Sequence, residues 1–147
     1  MKLSTKGRYG SRAMLDLALN YGKGFILLKD IARRQEISER YLEHLIAPLK
    51  AAGLVKSVRG ARGGYSLARP PSEIKLNEVI RVLEGSMSPV DCVDDFGLCH
   101  RARFCVTREI WRDVGRAING VLESMTLEEM VERQMEKGAP RAVMYHI

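Results

Sequence analysis

Apolar residues recur along this chain first at helical spacing, then in alternation, then at helical spacing again. Ala13, Met14, Leu17 and Ala18 share one face of a helix expected from about Thr5 to Tyr21, with Gly22 and Gly24 stopping it. Phe25 to Leu27 reads as a short strand, and Lys29 to Gln35 as a second helix that buries Ile31 and Ala32. After the turn Glu36-Ile37-Ser38, Ser38 is a good N-cap for a third helix. There Leu42, Leu45, Ile46 and Leu49 fall at i, i+3, i+4 and i+7, while Pro48 predicts a kink or an early end. Gly53 is the natural stop.

Two alternating stretches follow, Leu54 to Val58 and Tyr65 to Leu67, joined by a loop from Gly60 to Gly64. Leu76, Val79, Ile80 and Leu83 mark a fourth helix ended by Gly85, and from Ser86 to about Phe104 the periodicity is lost. A long fifth helix is expected from about Val106 to Met125. Its stripe is Ile110, Trp111, Val114, Ala117, Ile118, Val121, Leu122 and Met125. Thr126 with Glu129 forms a capping box for a last short helix. No internal repeat or low-complexity segment interrupts this order.

The pattern predicts a mainly α fold with a small β-hairpin: a winged helix-turn-helix over residues 1–85, a cysteine loop over 86–105, and a dimerisation helix with a C-terminal helix over 106–147. The length of 147 residues suits one ordinary domain with such an arm. With 46% hydrophobic but only 6% aromatic residues, the core is expected to be aliphatic. No run approaches the roughly 18 apolar residues that a bilayer span needs. The first residues, Met1 to Arg8, lack an apolar targeting segment, so a cytoplasmic, non-membrane protein is expected.

Charge sharpens this reading. Residues 1–72 hold 14 Lys and Arg against 5 Asp and Glu, a net of +9, whereas residues 73–147 hold 10 against 13, a net of −3. A basic front half with a helix-turn-helix order points to double-stranded DNA as its partner. The residues at the start of a recognition helix read base edges; here they are Ser38, Glu39, Arg40, Tyr41, Glu43 and His44. Arg40 can fork onto guanine N7 and O6, and Glu43 can accept from cytosine N4. Against this stands an ordinary Arg40–Glu43 surface pair, worth about 0.2–0.5 kcal/mol. In the loop Gly60, Gly63 and Gly64 free the backbone for close approach, and Arg59 and Arg62 put charge at the tip, which a narrow minor groove attracts. A plain hairpin turn needs one or two glycines but not two arginines. Lys6, Arg8 and Tyr9 add candidate phosphate contacts.

The chain's three cysteines, Cys92, Cys99 and Cys105, all fall in the irregular segment at spacing C-x6-C-x5-C. An odd cluster in a reducing compartment argues against a disulfide framework and for a metal, a cluster or a redox thiol. Thiolates suit zinc, copper(I) or iron–sulfur clusters, and gaps wider than CxxC make the zinc signal weak.

The start Met1 to Tyr9, the stretches Ile37-Ser38 and Tyr41-Leu42-Glu43, Gly53-Leu54-Val55, Val58-Arg59-Gly60, Gly63-Gly64-Tyr65 and Trp111-Arg112-Asp113 resemble the IscR/NsrR/CymR family of bacterial winged helix-turn-helix transcriptional regulators. The resemblance covers nearly the whole chain. It implies a homodimer paired through the long fifth helix, bound to an imperfect palindrome. It also implies that Cys92, Cys99 and Cys105 hold an iron–sulfur cluster, 2Fe–2S or 4Fe–4S, whose state controls DNA binding. The fourth ligand does not carry over. The position three residues after the last cysteine, histidine in IscR-like members, is Arg108. The start of the first helix, which supplies a carboxylate in NsrR-like members, offers Arg8. The first cysteine gap is also one residue longer than in typical IscR-like members. His100 is the best local candidate, with Asp91, Asp94, Asp95 and Glu109 behind it; an open iron site or an outside ligand serves equally.

Two rivals remain. One is a regulator of the same shape that senses through bare thiols or a partner protein, as CymR-like relatives without a cluster imply. The other is a redox enzyme, the weakest reading. The chain has no CxxC, no glycine-rich cofactor loop after a strand and no nucleophile–base constellation, and no small-molecule substrate is evident.

Overall fold

The computed structural model describes residues 2–138; Met1 and residues 139–147, the end of the expected C-terminal segment, lie outside the described part. The architecture is mostly helical with one antiparallel hairpin, as expected. Helix α1 (Thr5–Leu19) is followed by α2 (Leu28–Gln35), α3 (Glu39–Ala51), the strands β1 (Val55–Val58) and β2 (Gly64–Leu67), and α4 (Leu76–Glu84). A short helix α5 (Asp91–Asp94) and two 3₁₀ turns occupy the irregular segment before α6 (Val106–Ser124) and α7 (Leu127–Lys137).

The predicted stripes meet in one core. Met14 and Leu17 of α1, Ile31 of α2, Leu42, Leu45, Ile46 and Leu49 of α3, and Val79 of α4 are each 2% exposed or less. Burial of each such side chain contributes about 1.5–3 kcal/mol. Helix α3 does not end at Pro48 but runs on to Ala51. Proline removes one ladder bond, at a cost of about 3 kcal/mol, yet Leu49 is fully buried and holds the last turn against the core. Gly53 (φ 79°) then closes the helix, with the Leu54 N–H on the Leu49 carbonyl at 3.0 Å and the Gly53 N–H on that of Lys50 at 3.0 Å.

Helix α1 stops at Leu19, two residues short of Tyr21, because the Asn20 side chain bonds back to the Asp16 carbonyl at 2.8 Å and Gly22 turns the chain at φ 87°. The expected strand Phe25–Leu27 shrinks to one bridge, Ile26 against Tyr65, with both N–H···O bonds at 2.8 Å. Gly64 allows that approach. A Cβ there would lie 2.3 Å from the Ile26 carbonyl oxygen.

Helix α1 also packs closely on α4. A Cβ at Gly10 would stand 2.0 Å from Leu83 Cδ1, and one at Gly7 2.6 Å from Glu84 Oε1. Helix α7 folds back onto α1. The Leu76 N–H bonds to the Met125 carbonyl at 2.8 Å and the Leu127 N–H to that of Ile74 at 2.9 Å, which threads the fully buried Leu127 into the N-terminal core. The core built by residues 1–85 therefore includes a leucine from beyond residue 106. Replacing Leu127 by alanine is expected to cost about 2–4 kcal/mol, read as a lowered denaturation midpoint with an unchanged slope. A loss below about 0.5 kcal/mol would mean that α7 is not part of this core.

Candidate nucleic-acid interface and cysteine loop

The turn that aims α3 is held from both sides. The Ile37 N–H bonds to the Ala32 carbonyl at 3.0 Å, Glu36 adopts the left-handed conformation (φ 54°), and the Ser38 hydroxyl accepts from the Tyr41 N–H at 3.1 Å. Behind the turn, Arg34 grips the buried Asp16 carboxylate with Nε at 2.9 Å and Nη2 at 2.7 Å, and Gln35 Nε2 adds a third bond at 3.0 Å. That hydrogen-bonded carboxylate holds the Arg34 guanidinium above its usual pKa despite partial burial. Arg12 reaches the Gln35 carbonyl, completing the tie between α1 and α2.

With α3 so placed, Ser38, Glu39, Arg40, Glu43 and His44 are exposed at its N-terminal half. Arg40 and Glu43 form no ion pair among the described residues, so that alternative use of the two side chains is not realised. Glu39 lies in the first turn, where a carboxylate also favours the helix dipole. Tyr41 turns inward. Its ring meets Tyr9 edge-on at 6.1 Å, and its hydroxyl donates to Thr5 Oγ1 at 3.0 Å. The guanidinium groups of Arg8 and Arg12 lie 5.8 and 5.3 Å from the Tyr9 ring centre. Tyr9 and Tyr41 therefore join α1 to α3, and this joint sets the exposed Lys6 and Arg8 beside the start of α3.

Strand β1 pairs with β2 from Val55 opposite Leu67 to Val58 opposite Gly64, and Arg59 and Arg62 are exposed in the connecting loop. Two of its three glycines are required by the hairpin itself. A Cβ at Gly63 would lie 2.2 Å from the Val58 carbonyl oxygen, and Gly64 abuts Ile26, while Gly60 (φ 110°) has open space. The motif pattern does not single out Lys56, an exposed cation of β1 that lies 5.8 Å from the Phe25 ring centre. Its outward place in the alternating strand is the signal that could have found it.

The N-terminus of α1 depends on Glu84. One carboxylate oxygen accepts from the N–H groups of Ser4 at 2.9 Å and Gly7 at 3.0 Å, and from the Ser4 hydroxyl.

In the loop, all three cysteines are free and half-buried. Cys92 lies in α5, Cys99 follows the first 3₁₀ turn, and Cys105 caps α6, its sulfur 3.4 Å from the Arg108 N–H and 3.1 Å from Thr107 Oγ1. The Thr107 hydroxyl first, and the Arg108 N–H after it, hold the Cys105 thiol below its ordinary pKa. Arg108 reaches back under the loop, donating from Nε to the Cys92 carbonyl at 2.8 Å and lying 4.9 Å from the Phe96 ring centre. His100, Asp91, Asp94, Asp95 and Glu109 are exposed; Asp94 accepts from the Ser88 hydroxyl at 2.7 Å, and Asp95 caps Gly97 at 3.0 Å. The donors are of the right type for a cluster, but among the described residues no three His, Cys, Asp or Glu side chains converge as a metal-holding group. In this conformation the loop does not fit one.

Helix α6 carries its predicted stripe with no residue buried. Val114, Ile118 and Leu122 are half-buried, whereas Ile110 (50%), Trp111 (38%) and Val121 (68%) face solvent.

A helix-turn-helix with a β wing, followed by a long helix, defines a winged-helix regulator, and the comparisons agree. The model of Rrf2, an iron-dependent transcriptional regulator, matches residues 3–133, and the chain belongs to the Rrf2 family. The HTH-type transcriptional regulator CymR of Bacillus subtilis (strain 168) is 44% identical over 147 residues, which is 100% of either chain. The solved structure of CymR, the global cysteine regulator of B. subtilis, superposes with a TM-score of 0.77 at 46% identity, over 91% of this chain and 98% of that one. The structure of T. potens IscR does so with 0.78 at 48% identity, over 99% and 97%. The resemblance drawn from the motifs is thus borne out. The chain is a transcriptional regulator, and the redox-enzyme reading falls away. No helix among the described residues is long and apolar enough to cross a membrane.

One prediction follows from the seat of α1. Desolvation pushes the Glu84 carboxyl up, but the Ser4 and Gly7 hydrogen bonds and nearby Lys6 outweigh it, leaving its pKa below the ordinary 4.5. A depressed carboxyl stabilises the fold above its unfolded pKa and loses that contribution as pH falls through the folded value. Glu84→Gln should therefore cost about 1 kcal/mol at neutral pH, allowing for its partial exposure, and nothing well below pH 4. Denaturation midpoints of both proteins across that range check it, and parallel pH curves would contradict it.

Proposed function

We propose that this regulator binds double-stranded DNA as a homodimer and is controlled through its cysteine loop. In this reading residues 1–85 bind DNA, 86–105 sense, and 106–147 pair the subunits, in the cytoplasm. The observation that carries it is the coincidence of an exposed α3 N-terminus with a glycine-closed, arginine-tipped wing. Ser38, Arg40, Glu43 and His44 face the bases, with Glu39 at the helix start. Lys6, Arg8, Arg59 and Arg62 meet phosphate or the minor groove, and Tyr9 and Tyr41 hold the two helices in register. The solvent-facing Ile110, Trp111 and Val121 support pairing along α6. Arg59→Ala and Arg62→Ala should each weaken DNA binding and flatten its log–log salt dependence by about one unit for each phosphate no longer neutralised. An unchanged slope in both variants would remove the wing from the interface.

For the sensor, the favoured reading is an iron–sulfur cluster on Cys92, Cys99 and Cys105. Three free thiols within one loop support it, as does the likeness to IscR. Holding a cluster would require the loop to leave the arrangement that Arg108 now secures. A second reading, sensing by the thiols themselves or through a partner protein, is favoured by the lowered Cys105 thiol and the likeness to CymR. The protein purified without oxygen should show visible absorbance with bound iron and sulfide, lost in Cys92→Ser, Cys99→Ser and Cys105→Ser variants that retain their fold. A colourless protein that still binds DNA after attempted reconstitution would transfer the proposal to the thiol reading.

A further inference from the structure

The first turn of α1 is charged against its own helix. It carries Lys6 and Arg8, both exposed, and no acidic residue, although the positive end of a helix dipole favours anions and disfavours cations. Its leading N–H groups also need acceptors. The Ser4 hydroxyl takes the Lys6 N–H at 3.2 Å. A second acceptor comes from outside the helix. Glu84, the last residue of α4, takes the N–H groups of Ser4 at 2.9 Å and Gly7 at 3.0 Å, and the Ser4 hydroxyl as well. A Cβ at Gly7 would stand 2.6 Å from that carboxylate oxygen, so the glycine leaves the room it occupies.

Helix α3 holds the other side of the same turn. The Tyr41 hydroxyl donates to Thr5 Oγ1 at 3.0 Å, and its ring meets Tyr9 edge-on. Ser4 and Gly7 thus face Glu84 while Thr5 and Tyr9 face Tyr41, and Lys6 and Arg8 stand exposed on the flanks between these contacts. Lys6 is near enough to help keep Glu84 ionised, yet the two form no ion pair among the described residues. The turn is held by a carboxylate that does not consume its cations.

We propose that Glu84 is a positioning residue for DNA binding: it fixes the first turn of α1 so that Lys6 and Arg8 reach phosphate. The inference rests on the DNA-binding reading above, and its sign is distinctive. A carboxylate beside Lys6 repels phosphate, so by charge alone its removal strengthens binding. Through positioning, its removal weakens binding. Glutamine keeps an amide oxygen that accepts the same N–H groups, whereas alanine keeps no acceptor.

The test uses a duplex that the wild-type chain itself enriches from a random-sequence pool, with affinity measured across a series of potassium chloride concentrations. Glu84→Ala should bind about fivefold or more weakly at low salt, with the log–log salt slope reduced by about one to two units. Glu84→Gln should restore most of both. Lys6→Ala and Arg8→Ala should each lower affinity in the wild-type background and change little in Glu84→Ala. Far-ultraviolet circular dichroism confirms that the variants fold. Gly7→Ala, which displaces the carboxylate without removing it, should reproduce the loss, and it decides the matter if Glu84→Ala does not fold. Tighter binding by Glu84→Ala would overturn the proposal in favour of charge alone. Weaker binding at an unchanged slope would overturn it in favour of lost stability alone. Wild-type slopes in both Lys6→Ala and Arg8→Ala would remove those cations from the interface, and the role of Glu84 with them, while leaving the DNA-binding reading intact. A wild-type chain that enriches no duplex would sink that reading too.

Discussion

Asp16 is 2% exposed, on a helix face otherwise given to Ala13, Met14, Leu17 and Ala18, and hydrogen-bond donors converge on it from the next helix. A buried carboxylate costs several kcal/mol in lost hydration and is repaid only when its geometry is nearly complete. Here Arg34 supplies a two-pronged contact and Gln35 a third bond, so the last turn of α2 has one favourable position on α1. The next residue is Glu36, in the left-handed conformation, and the chain enters α3 three residues later. The direction of α3 is therefore tied to this carboxylate. Hydrophobic burial alone would hold α2 against α1 without selecting a rotation about that contact.

The same central helix collects the rest of the molecule. Gly7 and Gly10 bring α4 to a distance that any Cβ would contest, and Glu84 then reaches the first turn of α1. Leu127 fills the core from the other end of the chain. Helix α1 thus touches α2, α3, α4 and α7. A change in the seat of α4 has a short mechanical route to α3 through Glu84, Gly7 and the Tyr9–Tyr41 joint.

Local periodicity made the core stripes legible. Met14, Leu45, Leu49 and Val79 bury themselves wherever the helix is amphipathic, and Gly53 and Thr126 mark ends by backbone chemistry that needs no tertiary partner. What the sequence hid depends on distant residues. Asp16 looks like a polar position on an amphipathic helix until Arg34 and Gln35 are placed against it. Pro48 looks like a terminator until Leu49 is seen to be fully buried. Tyr41 stands among the base readers in the sequence, yet it faces Tyr9, a pairing across 32 positions that no local pattern announces. Exposure of Arg59 and Arg62 was legible because a short hairpin must turn them outward. The glycines beside them looked like a provision for DNA, whereas Gly63 and Gly64 are already required by Val58 and Ile26.

The cysteine loop illustrates a different limit. Its composition announces thiol chemistry, but composition carries no information about convergence, and the folded loop spends its polar groups on itself. Asp94 is taken by Ser88, Asp95 by Gly97, and Arg108 by the Cys92 carbonyl and the Phe96 ring. Cys92, Cys99 and Cys105 could converge on one group only if some of these bonds were given up, and Arg108 is the side chain with most of them. It sits at the start of α6, so any such exchange acts directly on the helix whose apolar face is open. The loop is fastened to the start of α6 through Arg108 and to itself through Ser88 and Asp94. A rearrangement there would bear directly on α6, whose Ile110, Trp111 and Val121 face solvent.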